Sequence, residues 1–574
     1  MIWDSNMIIF ASEFKAMHAY DNLVFSSVIP DIISKYAHHN ALGFVDEEPM
    51  TYAQMGRYID ALKAFCESLE IKEEDKVIIF SQNMPNWGLV FFSLQCMGVI
   101  AVPVLPDFNS HELENILLHS EAKIVFVSDS LVYKLAEVQK DTIEVIVRID
   151  DFQVLKGRNR SVVFDPDARC KNSYSPDENK LALLLYTSGT TGESKGVMLS
   201  QKNILTNAFQ GDSVQPISVH DKFLSVLPLA HTYENTLGLI LPILKGASVS
   251  YLRKPPTASV LIPAMQSLKP EIMLTVPLII EKVYKNSILP KIQEKAFSRI
   301  LFKYKPTRKL VHRLAGKKLH KTFGGNLHFF GIGGAKLDPV VEQFLRDARF
   351  PYAIGYGLTE TSPLLAGSNP SQTRFQAIGP KVFQCELKIN DPDPVTGEGE
   401  IWAKGPNVML GYYKNDIKTR EVMTGDGWFK TGDLGVFDKE GWLSHKGRLK
   451  NMIVGANGEN IYPEEIESLI NNFHHVVESI VIEKKGKLVA LVHFNRDEIE
   501  QKLKEVRADI THKVDEKLEE LSHRVDDTIN TLAMELKLYI NSRVNKFSRI
   551  QMLIVQSDPF QKTATQKIKR YLYN

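Results

Sequence analysis

The spacing of apolar and polar positions changes character along the chain. In the first part apolar runs alternate with helical patterns: a helix near Tyr52 to Leu69, a strand Lys76 to Phe80, a helix Trp87 to Met97, a strand Val99 to Val104, a helix near Ser110 to His119 and a strand Lys123 to Val127. Strands and helices alternating at this spacing predict an α/β fold with mostly parallel sheets. Apolar runs at Leu181 to Tyr186, Phe223 to Leu227, Ile272 to Val276, Leu327 to Gly331 and Tyr352 to Gly355 carry that region past residue 350. After Gly379, short alternating segments lie between Gly, Asp and Pro turns, predicting a β-rich antiparallel subdomain. From Ile499 to Leu536 apolar residues recur at spacings of three and four with charges between them. That pattern predicts a long amphipathic helix or helical hairpin, read first as an inserted packing element and second as a dimerisation or membrane-surface contact.

One segment invites a membrane reading. Trp87 to Leu105 approaches the ~20 apolar residues of a bilayer span, but it holds Ser93 and Gln95 and breaks at Gly98 and Pro103. A buried helix followed by a strand is expected instead. The N-terminal residues lack a basic region followed by a sustained apolar stretch and a small-residue cleavage site, so no secretory signal is read.

Composition narrows the function classes. A chain of 574 residues predicts several structural units, and 44% hydrophobic with 24% charged residues is ordinary for a globular protein. Lys plus Arg number 69 against 68 Asp plus Glu, so no global field points to nucleic acid. Cys66, Cys96, Cys170 and Cys385 are widely separated and show neither zinc nor redox spacing, which favours a reducing, cytoplasmic setting. Charge is uneven only locally: Lys282 to Lys321 contains thirteen Lys or Arg and one acid, Glu294. Such a stretch is either a solvated helix face or a patch attracting anionic headgroups or a phosphorylated substrate.

Candidate chemistry begins at Tyr186 to Gly196, YTSGTTGESKG, directly after the apolar run LALLL. Its glycines, hydroxyls and lysine make a loop whose backbone N–H groups can wrap phosphate oxygens, with a nucleoside triphosphate as the natural ligand. The Walker spacing is absent, so a P-loop NTPase fold does not follow.

This loop resembles the phosphate-binding signature of the adenylate-forming superfamily, which includes acyl-CoA synthetases, luciferases and peptide-synthetase adenylation domains. Further segments fit in the family's order: LPLAHTYE (Leu227 to Glu234), GIGGAKL (Gly331 to Leu337), GYGLTETSP (Gly355 to Pro363), WFKTGDLG (Trp428 to Gly435), GRLKNMIVGANGENIYPEEIE (Gly447 to Glu467) and KTATQKIKR (Lys562 to Arg570). The forms of LPLAHTYE and GENIYPEEIE look most like the long-chain fatty acyl-CoA synthetase branch.

The resemblance implies a large N-terminal AMP- and acyl-binding domain over residues 1–449, comprising two α/β subdomains and a β-rich one. It also implies a mobile α+β lid over residues 450–574, carrying a helical insertion at about 497–540. ATP with magnesium would activate a long-chain fatty acid as an acyl-adenylate, and CoA would receive the acyl group. Acyl-carrier protein is the alternative acceptor, and another carboxylic acid the alternative substrate; a homodimer and peripheral membrane contact stay open.

By the same resemblance Thr187, Ser188, Gly189, Thr190, Thr191, Gly192 and Lys195 hold the β- and γ-phosphates. Gly333, Gly334 and Ala335 pass close to adenine, Tyr356 stacks on it beside Gly357, Thr359 contacts the α-phosphate, and Glu360 binds magnesium. Asp433 takes the ribose hydroxyls and Arg448 adds a planar cation nearby. Lys450 is the hinge, Gly458 lines the pantetheine path, and His231 sits between the nucleotide and acyl pockets. Lys567 is the adenylation lysine, although Gln566 stands where the family has Gly. Phe209, Leu237 to Leu244 and Ile272 to Ile280 are read as acyl-tunnel lining or as core.

Overall fold

The computed structural model describes residues 20–138, 143–157, 160–188, 194–294, 301–302, 304–454, 460–484, 486–508, 518–563 and 568–573. The chain is α/β, with a large N-terminal part built on two eight-stranded sheets. In the first sheet Lys76–Phe80 lies parallel to both Ile100–Val104 and Ile124–Val127, and the hairpin Leu181–Ser188 with Ser194–Ser200 extends it. The second runs in parallel from Asn40–Phe44 through Ser248–Tyr251, Lys222–Ser225, Ile272–Thr275 and Phe329–Ile332 to Tyr352–Gly357, and Leu364–Gly367 closes it antiparallel.

Local chemistry sets several boundaries. Tyr52–Ser68 starts at Thr51 and Ser110–Ser120 at Asn109, each with a reciprocal capping box to Gln54 or Glu112. The apolar stretch tested for membrane insertion forms the helix Pro85–Cys96 and the strand Ile100–Val104, both buried. Gln95 donates to the Ala182 carbonyl at 2.8 Å and Ser93 to that of Leu89 at 2.7 Å, giving both side chains a protein partner for their donors. Among the described residues no helix is long and apolar enough to cross a membrane.

The helix Gln201–Val214 joins the sheets. Twelve of its residues are buried, several of them polar. Asn203 donates to the carbonyls of Pro406 and Val408 at 2.7 and 3.0 Å, Asn207 exchanges bonds with the Leu364 backbone at 2.8 Å, and Gln210 donates to the Phe383 carbonyl. These amides supply partners to irregular backbone at the place where the sheets meet.

The β-rich expectation corresponds to an antiparallel sheet of Glu386–Asn390, Gly399–Lys404, Phe429–Phe437 and Leu443–Arg448. The smaller C-terminal part packs helices on the sheet Val476–Lys484, Lys487–Phe494 and Met552–Gln556. The amphipathic segment is two helices, Arg496–Ala508 and Leu518–Asn541; residues 509–517 lie outside the described set. Ile499, Val525, Ile529, Leu532 and Leu536 turn inward into this part's own core. Among the described residues its apolar stripe is therefore a packing face.

Candidate active site

Register in the antiparallel sheet builds one half of the site. Asp433 and Arg448 are cross-strand partners, and Arg448 Nε lies 2.8 Å from Asp433 Oδ1. Tyr356, at the end of its parallel strand, donates its hydroxyl to Asp433 Oδ2 at 2.9 Å, and its ring sits 5.8 Å from that of His445. Burial alone would push the Asp433 carboxyl up, but the Arg448 guanidinium and His445 hold it below the usual range. A buried carboxylate ion thus persists at neutral pH. Oδ1 accepts no aligned hydrogen bond, which leaves an acceptor suited to a vicinal diol.

The hairpin Leu181–Ser188 and Ser194–Ser200 builds the other half. Its ladder pairs Thr187 with Lys195, while the short strand Gly411–Tyr412 pairs against Val197 and Met198. Lys195 Nζ thereby lies 5.3 Å from the centre of the Tyr412 ring, and the Tyr412 hydroxyl donates to Glu360 Oε1 at 2.9 Å. Glu360 and Thr359 occupy a short 3-10 turn anchored by the Met409 N–H to the Glu360 carbonyl. Just before it, a Cβ on Gly357 would come 1.8 Å from the Pro363 carbonyl oxygen, so only glycine lets the chain double back there.

Cations converge on this mouth. Burial, then Arg448, Lys195 and Lys418, bring the Lys450 ammonium down to about 8. Burial and Lys418 lower Lys195 as well, against the opposing pull of Glu360. Mutually repelling cations at one opening are an electrostatic site for a polyanion. Among the described residues no three His, Cys, Asp or Glu cluster as a metal cage. A single carboxylate beside phosphate-seeking cations fits magnesium, which keeps few protein ligands and takes the rest from phosphate and water.

The next loop, Gly333 to Ala335, follows the strand Phe329–Ile332; Gly334 has φ +85, a left-handed conformation. Gly333 faces Tyr233, whose ring carbon lies 3.1 Å from where a Cβ would be. Tyr233 opens the π-helical segment Tyr233–Ile240, preceded by half-buried His231, whose Nδ1 is 3.4 Å from the Tyr233 N–H. Behind it lies an apolar cavity of about 50 Å³, walled by Val214, Tyr233, Leu237, Leu274, Gly331 and Gly355 among others. Leu237, Leu241, Ile272 and Leu274 of the expected acyl lining reach it; Phe209 belongs to the surrounding core.

The C-terminal part meets the site through Lys336 to Glu465 at 3.2 Å, Asn472 to Asp338, and Tyr462 to Glu398 at 2.5 Å. Beside Lys450, Asn451 donates to Glu464 at 2.7 Å. Gly189, Thr190, Thr191, Gly192, Gly458 and Lys567 lie outside the described residues, as does the side chain of Ser188. Tyr412, Lys418, Tyr233 and His445 are site residues that motif reading missed. Tyr233 stood beside His231 in LPLAHTYE, whereas Tyr412 and His445 arrive through strand pairing and Lys418 on the helix Asp416–Val422.

A family model described as "AMP-binding enzyme" matches residues 31–413. The chain is an AMP-binding enzyme. Long-chain-fatty-acid–CoA ligase FadD15 of Mycobacterium bovis is 28% identical over 484 residues, covering 79% of this chain and 78% of that protein. Peroxisomal long chain acyl-CoA synthetase 6 of Arabidopsis thaliana is 28% identical over 466 residues, covering 74% and 65%. Among solved structures, o-succinylbenzoate CoA synthetase of Bacillus subtilis with its acyl-adenylate matches this AMP-binding enzyme with TM-score 0.72 at 21% identity, over 95% of this chain and 97% of that one. That likeness carries the fold: a large N-terminal domain and a smaller C-terminal one.

Proposed function

We propose that the protein joins a long-chain fatty acid to CoA in two half-reactions. A carboxylate oxygen of the acid attacks the α-phosphorus of ATP, the bond to the β-phosphate bridging oxygen breaks, and pyrophosphate leaves. The CoA sulfur then attacks the acyl carbon, its proton passes to solvent, and AMP departs with the bridging oxygen. The observation that carries this reading is that two strands serve both sides. Phe329–Ile332 and Tyr352–Gly357 wall the apolar cavity at Gly331 and Gly355, then lead into Gly333 beside Tyr233 and into Tyr356 at the charged mouth. An acid with an apolar tail would set its carboxylate at that junction, close to the cations that gather phosphate.

Asp433 would accept from the ribose, and Arg448 would hold its carboxylate and counter phosphate charge. Lys195 with the 187–192 loop would bind the outer phosphates, and Thr359 the α-phosphate. Glu360 would hold magnesium, which when bound neutralises phosphate charge. Gly333 to Ala335 would bring backbone against the base. Lys567 would orient the attacking carboxylate in the first step, Lys450 would be the pivot that withdraws it, Gly458 would border the pantetheine arm, and His231 would separate the two pockets.

The long-chain assignment is supported by the names of relatives. In the form described here the cavity admits only a short tail, about a third of the ~150 Å³ that holds a benzene-sized guest. A longer chain would extend beyond this volume, whose wall includes Tyr233, Leu237 and Leu241. Thioester formation measured with CoA and with acyl-carrier protein tests the acceptor: turnover with CoA is expected, and turnover with carrier protein alone would overturn it.

A further inference from the structure

The basic stretch singled out in the sequence contains the helix Lys305–Thr322, which has two unlike faces. Its inner face carries His312, Gly316 and Leu319, all buried. His312 Nδ1 lies 2.9 Å from Asp347 Oδ2 on the helix Pro339–Ala348, and a Cβ on Gly316 would come 2.5 Å from that of Ala348. The helix is therefore pinned to the domain along one side. Its outer face reads Lys309, Leu310, Arg313, Leu314, Lys317, Lys318 and Lys321, all exposed.

Spacings of three and four put these residues on one stripe, with two leucines a turn apart at its centre. Leu310 is 57% exposed and Leu314 62%, and Tyr304 at the helix start is 65% exposed. The helix contains no acid, and among the described residues its five outward cations form no ion pair. Cations alone would suit any polyanion. Leucines set among them suit a partner that offers negative charge at its surface and hydrocarbon just beneath.

We propose that this face docks the protein on an anionic lipid bilayer, the leucines and Tyr304 entering the interface while the lysines and Arg313 meet the headgroups. The proposal is independent of the reaction assigned above. A bilayer would also be a local store for an acid with a long apolar tail.

The test is flotation of the full-length protein with vesicles of phosphatidylcholine alone or of equimolar phosphatidylcholine and phosphatidylglycerol. Wild type is expected to float only with the mixed vesicles and to be released as salt rises. Arg313→Glu, Lys317→Glu and Lys321→Glu together should lower partitioning at least about 100-fold, and Leu310→Ser with Leu314→Ser about tenfold. These side chains face water, and turnover with a soluble short acid should stay at the wild-type level. Failure of wild type to bind mixed vesicles, or equal binding to neutral ones, overturns the proposal without recourse to variants. Charge-reversed protein that binds like wild type also overturns it. If the leucine variant keeps full binding while charge reversal abolishes it, the face is a general polyanion site, nucleic acid included, and the bilayer proposal falls.

Discussion

Asp433 and Glu234 are both carboxyl groups only 2% exposed, yet the molecule treats them oppositely. Asp433 has Arg448 and Tyr356 within 3 Å and stays ionised. Glu234, on the π-helical segment behind the apolar cavity, is pushed by burial to about 8, with only Ser225 and the Val226 backbone offsetting the shift. Its Oε2 accepts no hydrogen bond, and the neighbouring side chains of Asn235 and Thr236 also lack partners. Burial therefore does not by itself create a charged site; a cation beside the group decides. The charged mouth is organised to receive more charge, and the surroundings of the apolar cavity are kept neutral.

The largest break in this contrast should come from Asp433→Asn. It leaves Arg448 beside an amide and removes the charged acceptor, so kcat/KM for ATP should fall at least about 100-fold, checked by pyrophosphate release. A smaller fall would mean that another group takes the ribose. Next is Val214→Phe on the cavity wall, which should lower kcat/KM for the longest acids about tenfold or more while sparing short ones. Uniform loss across chain lengths would place the acyl tail elsewhere.

A separate effect, confined to one range of pH, concerns stability. Glu234 binds its proton in the folded state between its ordinary 4.5 and about 8, a window in which the unfolded chain has lost it, so its presence lowers stability as pH rises through that range. Glu234→Gln stays neutral; its advantage in urea denaturation should be slight near pH 5 and grow towards a limit of about 4 kcal/mol at pH 8. An advantage that does not change with pH would contradict a neutral, desolvated carboxyl.

Much of the charged side was legible in the sequence because its groups travel in contiguous motifs. Asp433 and Arg448 were picked out separately as TGDLG and GRLK, and the antiparallel register then brought them together. Tyr412 and Glu360 are 52 residues apart and meet through the pairing of Gly411–Tyr412 with the hairpin and the Met409 N–H to the Glu360 carbonyl, which periodicity does not encode. Tyr356 was expected as an adenine-stacking ring; its bond to Asp433 depends on two different sheets ending side by side. The apolar cavity was least legible. Leu237 and Ile272 look alike whether they border a cavity or fill a core, since both are apolar positions at helical or strand spacing. The insertion was readable as amphipathic, but the direction of its stripe depended on what it packed against.

The central claim is that the charged mouth and the apolar cavity serve one carboxylate between them. ATP–pyrophosphate exchange, measured with magnesium and a series of straight-chain fatty acids without CoA, tests it most directly. Exchange that requires an acid and strengthens as its apolar tail lengthens is the predicted result. Exchange that is absent with every fatty acid, or that responds to amino acids and ignores tail length, would contradict it.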